Sequence, residues 1–351
     1  MVAKVGLFVA SGCIGLIFMT ATACGQNGCN CAPTPMLISG DTIFSGLGPT
    51  DGFRGTVPGP SPRYLASIAY DASHKNFVLF GGHTAKSGVS GETWIFDEAG
   101  GQYALPAWRR VQPAHNPPPR WGAAMAFDPK QSVVLMYGGL IPDRAEGYPG
   151  SDTWAWDGAD WSDVTPAATG PGPRDGAAMV TAGDGVLLFG GRVGNVSYFS
   201  DAFSWDGRNW SRVDRGPTPA GRAYAAVAWS PADAVLFVFG GTGLRSGAGP
   251  GAKGAPLSDG WELKEGSWSE INMSGPPALT LGNALWTPKT SFEVLHGLSC
   301  PKVNREIWAW DSIKWTSMGE EAGVFGRWGA VMAQDDDGEQ LTFGGSEIAE
   351  C

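Results

Sequence analysis

Five arginines recur at one place in a repeating pattern: Arg63, Arg120, Arg174, Arg222 and Arg327. Acidic residues recur further on, at Glu92, Asp152, Asp201, Asp259 and Glu306. A ring of guanidinium groups could hold anionic ligands such as carboxylates. The same pairs could instead be internal, each arginine tying its own repeat together. Repetition in nearly every copy favours the internal role, because a binding site normally breaks symmetry. The four histidines, His74, His83, His115 and His296, form no pair at metal-ligand spacing. Six cysteines are present. Cys13 lies in an apolar N-terminal run, Cys24 follows Thr20-Ala21-Thr22-Ala23, and Cys29, Cys31, Cys300 and Cys351 remain as disulfide candidates.

The N-terminal residues direct the cysteine chemistry. Lys4 is followed by the apolar stretch 5–19 and then small residues up to Cys24. This reads as an export signal over residues 1–23, with 24–35 as a linker. Small residues directly before a Cys resemble a bacterial lipobox, which implies lipidation of Cys24. Ala21 stands where that box usually has Leu, so plain cleavage near Ala23 and an uncleaved anchor stay open. The expected location is outside the cytoplasm, as a membrane-anchored lipoprotein at the cell surface or in the periplasm. That compartment favours disulfides. Cys29 and Cys31 are too close in sequence to pair with each other without strain, so each is expected to pair with one of Cys300 and Cys351. The chain carries a net charge of −10 with 17% charged residues, which argues against nucleic acid as a partner.

The elements that position these residues form a repeat of roughly 50 residues. A strand of alternating apolar residues ends in Gly-Gly, at Gly81-Gly82, Gly138-Gly139, Gly190-Gly191, Gly240-Gly241 and Gly344-Gly345, with His296-Gly297 as a degenerate copy. A polar loop, the acidic residue, an aromatic strand and a lone Trp follow. Residues 120–165 show the cycle well: a short strand A to Phe127, a β-branched strand B to Tyr137, strand C carrying Trp154 and Trp156, and strand D from Trp161. Trp205, Trp308 and Trp310 mark strand C in later copies. Such units cannot bury a face alone and must close on one another.

The Gly-Gly after a hydrophobic strand, with Thr-Trp-x-Trp-Asp-Gly-x-x-Trp downstream, resembles the kelch repeat of bacterial exported proteins over residues 63–345. The resemblance implies an all-β fold: a six-bladed β-propeller of four-stranded blades. Expected blades are 63–113, 120–165, 174–214, 222–272, 282–318 and 327–345, the last completed by residues 36–46, so that the propeller spans 36–351. The A–B and C–D turns are tight, whereas the B–C loops are long and unequal. The face bearing B–C and D–A loops is therefore the expected binding face. His83, Arg144, Tyr148, Arg192, Tyr198 and Arg245 are its candidate residues. The expected function is a scaffold that binds an unidentified protein or glycan, with no cofactor and no metal. The alternative is a carbohydrate-active enzyme resembling the sialic-acid mutarotases, or a copper oxidase resembling galactose oxidase. Copper would need Tyr and His ligands and a Tyr–Cys cross-link, which seven Tyr and these cysteine positions supply poorly.

Overall fold

The computed structural model describes residues 42–45 and 59–346, apart from 85–87, 99–105, 143–147, 168–169, 245–251, 272–274, 289–290, 296, 300–301 and 321–326. The expected export signal, the expected lipidation position Cys24 and all four disulfide candidates lie outside the described residues, as do Arg144, Arg245 and His296. No helix among the described residues is long and apolar enough to cross a membrane.

Five antiparallel four-stranded sheets follow one another along the chain. The first runs through Ser67–Asp71, Asn76–Phe80, Thr93–Asp97 and Ala107–Val111. The second uses Ala124–Asp128, Val133–Tyr137, Thr153–Trp156 and Trp161–Asp163. The third, fourth and fifth begin with Ala178–Ala182, Ala226–Ser230 and Asn283–Thr287. A sixth sheet has three described strands, Trp328–Gln334, Gln340–Ser346 and the N-terminal Thr42–Ser45. Thr42 lies opposite Phe343 and Ser45 opposite Gln340, so a strand from the start of the chain takes the third place. Residues 36–41 of the segment expected to complete this blade lie outside the described residues. Each innermost strand packs beside those of the preceding and following sheets, and Ser67–Asp71 lies beside both Ala124–Asp128 and Trp328–Gln334. The all-β propeller is thereby closed.

One aromatic contact repeats between sheets. The Trp at the start of the fourth strand, its first or second residue, packs against the last aromatic of the second strand in the preceding sheet. The ring centroids are 5.5 Å apart for Trp161 and Phe80, 5.5 Å for Trp210 and Tyr137, 5.0 Å for Trp268 and Phe189, and 5.3 Å for Trp315 and Phe239. Trp108 and Phe343 make the same contact across the seam between first and sixth sheets, at 5.4 Å. Edge and tilted geometries of this kind add stability beyond area burial. Trp161 and Trp210 also donate their indole N–H to Thr93 and Thr153 of the preceding sheet, at 2.9 and 3.0 Å. Buried indoles need such partners.

Gly-Gly joins the sheets through the backbone. A Cβ on Gly138 would stand 2.4 Å from the carbonyl oxygen of Arg174 in the next sheet, and its φ is +66°. The following Gly139 donates its N–H to that same oxygen at 2.9 Å. Only a residue without a Cβ permits both the positive φ and the approach. Gly344 repeats the approach at the seam, 2.3 Å from the Arg63 carbonyl oxygen.

The seam also gathers acid. Asp335, Asp337 and Glu339 of the sixth sheet's turn crowd Glu98 at the end of the first sheet's third strand. Burial first, and then these carboxylates, push the Glu98 carboxyl up to about 7. A folded-state value above the ordinary 4.5 means that the folded chain holds the proton more tightly. The stabilisation is complete below the unfolded value and disappears as pH rises through 7. Glu98→Gln should therefore raise the melting temperature at pH 8 and leave it nearly unchanged at pH 4.5. Equal effects at both pH values, read by thermal circular dichroism, would contradict this account.

Candidate functional site

The repeated arginines are consumed by the fold. Arg120 is 1% exposed. Its Nη1 donates to the Gly138 carbonyl at 2.9 Å and to Asp152 Oδ1 at 3.0 Å, while Nη2 donates to Asp152 Oδ2 at 2.6 Å. Trp154 adds its indole N–H to Asp152 Oδ2 at 2.7 Å. Arg222, Gly240, Asp259 and Trp261 repeat the arrangement, as do Arg63, Gly81, Glu92 and Trp94. Arg174 pairs with Asp201, and Phe203 replaces the indole there. Burial alone would raise the Asp152 and Asp259 carboxyls, but the arginine and indole donors outweigh it and hold both below the usual range. In the fifth sheet Leu279 occupies the arginine position, and Glu306 keeps the indole of Trp308 at 2.9 Å. These guanidinium groups have no face left for a ligand.

Two residues after each arginine position the chain turns inward and closes a second ring. The Leu65 N–H donates to the Gly329 carbonyl, Gly122 to Leu65, Gly176 to Gly122, Tyr224 to Gly176, Leu281 to Tyr224, and Gly329 to Leu281. The six hydrogen bonds span 2.7–3.4 Å. All six residues have positive φ, between 52° and 66°. This circle bounds one end of a central cavity of about 800 Å³, which extends along the innermost strands to the A–B turns at Ala72, Gly183, Pro231, Pro288 and Asp335–Gly338. The innermost strands line its walls.

The rim is not symmetric. Residues just before the circle are Tyr64, Trp121, Asp175, Ala223, Thr280 and Trp328. Each lies opposite a residue that follows Gly-Gly, giving Tyr64 with His83, Trp121 with Leu140, Asp175 with Arg192, and Ala223 with Thr242. On one side, Trp328, Tyr64, His83 and Trp121 form an arc of touching rings. Centroid separations are 5.6 Å for Trp328 and Tyr64, 5.1 Å for Tyr64 and His83, and 5.8 Å for His83 and Trp121. All four are half-buried.

On the other side the rim is polar. Asp175 is 1% exposed. Its Oδ2 accepts from Arg192 Nε at 3.2 Å and from the Tyr224 hydroxyl. Its Oδ1 is buried with no partner among the described residues. Burial raises the Asp175 carboxyl, more than Arg192 and Tyr224 lower it. Burial, reinforced by Asp175, also raises the Tyr224 phenol. Arg192 stacks over the Tyr224 ring at 5.0 Å and reaches Asn195 Oδ1 at 2.8 Å. Tyr224 lies across its neighbours: a Cβ on Gly176 would sit 2.7 Å from its Cζ, and one on Gly122 3.3 Å from its hydroxyl. Thr242 and Thr280 share a hydroxyl hydrogen bond of 2.6 Å further round.

Of the expected binding-face residues, Arg192 and Tyr198 face each other across a short antiparallel pair, and His83 joins the aromatic arc. Tyr148 is 47% exposed and belongs to neither group. Sequence reasoning missed Tyr64, Trp121, Asp175, Tyr224 and Trp328. The signal was available: Asp175 stands in a register where two other copies carry Trp. Among the described residues no cluster of three or more His, Cys, Asp or Glu is placed to hold a metal ion. Asp335, Asp336 and Asp337 lie at the seam, where Asp335 and Asp337 face Glu98.

A closed ring of Gly-Gly sheets with an asymmetric rim defines a kelch-type β-propeller. The family model for the KLHDC2/KLHL20/DRC7 Kelch-repeats domain matches residues 103–283, and the chain belongs to the kelch-repeat family. It is similar in fold to the protein described as "Structure of YjhT", with a TM-score of 0.63 and 16% identity. That match covers 84% of this chain and 95% of the other.

Arg120→Ala would strand Asp152 and the Gly138 carbonyl, and should cost about 3–5 kcal/mol in urea unfolding. A loss under about 1 kcal/mol would show that the repeated arginines do not hold the sheets.

Proposed function

We propose that this chain is an exported, lipid-anchored propeller that binds a protein or glycan ligand through the B–C/D–A face. A kelch propeller is typically a protein-binding scaffold. The observation that carries the reading is the contrast at the rim. Four of the repeated arginines are paired with an acid of their own sheet, whereas a non-repeated set of aromatic and polar residues stands beside the backbone circle. Rigid scaffolds place binding residues at such loop-rich ends. The anchor follows from the sequence: Lys4, the apolar stretch 5–19 and the small residues before Cys24.

Two measurements test this. Binding of the purified full chain to arrayed glycans and proteins should be lost when Arg192 and Tyr198 are both replaced by Ala. It should persist when Arg208, exposed in a turn between third and fourth strands, is replaced by Ala. Equal losses in both variants would remove the face from consideration. In bacterial cells, fatty-acid labelling should disappear on Cys24→Ser; label retained in that variant would rule out the anchor.

A further inference from the structure

The chemistry of the rim narrows the ligand class, an inference that rests on the binding-face reading above. We propose that the rim is a binding site for a neutral pyranose unit of a glycan. Its apolar C–H face stacks on the aromatic arc, and its hydroxyls meet the polar side formed by Asp175, Tyr224 and Arg192.

Three observations lead there. First, the arc of Trp328, Tyr64, His83 and Trp121 spans the sixth, first and second sheets as one run of touching, half-buried rings. The ring faces of Trp and Tyr offer large contact area with polar edges, which suits a sugar's alternating C–H and O–H groups. Second, the opposite side is built for hydrogen bonding and carries no net charge. Asp175 and Arg192 neutralise each other at 3.2 Å, and Asp175 also takes the Tyr224 hydroxyl. Of the arginines that might have drawn an anion, Arg63, Arg120, Arg174 and Arg222 are each tied to a carboxylate of their own sheet, and Arg327 is buried with its Nη1 on the Gly344 carbonyl. An acidic sugar would therefore find no uncommitted cation among these groups, and the chain's net charge of −10 opposes it further. Third, the polar side holds unused capacity. Asp175 Oδ1 is buried without a partner among the described residues. A buried acceptor left unmet is costly, and a ligand hydroxyl reaching it removes that cost.

The two sides lie close enough for one ligand. Neighbours in the circle are joined by single backbone hydrogen bonds, so the backbone circle between them is on the order of 10 Å across. Tyr224 reaches over Gly176 to Gly122, beside Trp121, and so brings the polar side up to the aromatic one.

The full chain would be titrated with the methyl glycosides of glucose, galactose, mannose and N-acetylglucosamine. N-acetylneuraminic acid serves as the charged comparator, and calorimetry as the readout. The expected result is saturable binding of at least one neutral glycoside that high salt does not weaken. Trp121→Ala should weaken it about tenfold, whereas Trp121→Phe should retain most of the affinity. Tyr64→Leu, which leaves the circle's backbone in place, gives the same reading should Trp121→Ala fold poorly. The inference is overturned by binding of the acidic sugar alone, by salt-sensitive binding, or by variants with unchanged affinity. If no glycoside binds but a protein is held through Arg192 and Tyr198, this inference fails and the scaffold reading stands. If neither binds there, both fail.

Discussion

The buried arginine at the entrance to five of the six innermost strands is the node on which the structure depends. Arg120 shows how much passes through one residue. Its guanidinium holds the Gly138 carbonyl and both oxygens of Asp152 within the second sheet. Its own carbonyl accepts the Gly82 N–H from the first sheet, and its N–H donates to the Ser90 carbonyl there. Side chain and backbone thus serve two adjacent sheets at once. A charge with so little exposure is tolerable only because every donor finds an acceptor. Where Leu279 takes the place of arginine in the fifth sheet, the backbone link survives and the side-chain network does not: the Leu279 carbonyl still accepts from Gly241 at 2.7 Å. Closure rests on the peptide groups; the guanidinium secures each sheet individually.

Symmetry and function divide the molecule between them. Satisfying the arginines internally removes them from ligand chemistry and leaves the rim to residues that differ from sheet to sheet. The circle of six backbone hydrogen bonds fixes where those residues stand. It needs a positive φ at each position, which Gly supplies at 122, 176 and 329 and which Leu65, Tyr224 and Leu281 adopt under constraint. The two consecutive glycines at 122 and 176 leave the space over which Tyr224 lies. The bare backbone that closes the circle therefore also shapes the rim beside it.

Much of the fold was legible because the repeat encodes local and neighbour contacts. Gly138-Gly139 announced a strand end with close backbone approach, and Trp154 and Trp156 announced an alternating strand. The kelch propeller followed from these. The short apolar runs within 36–46 marked a candidate segment, but the register of Thr42–Ser45 against Gln340–Phe343, residues about 300 apart, is set only when the ring closes. The seam's acid cluster is similarly hidden: Glu98 and Asp335 look like ordinary turn residues until closure places them together.

The sequence alone determined the class of this protein: an all-β kelch repeat whose Gly-Gly, Arg and Trp recur at fixed spacing, because each repeat must solve the same packing problem. Only the tertiary structure decided the site. Tyr64, Trp121, Asp175, Tyr224 and Trp328 lie in different repeats, and each alone reads as variation on a theme. They become one aromatic and polar rim because the ring brings the same register of every sheet to a common axis, where the departures from the repeat meet.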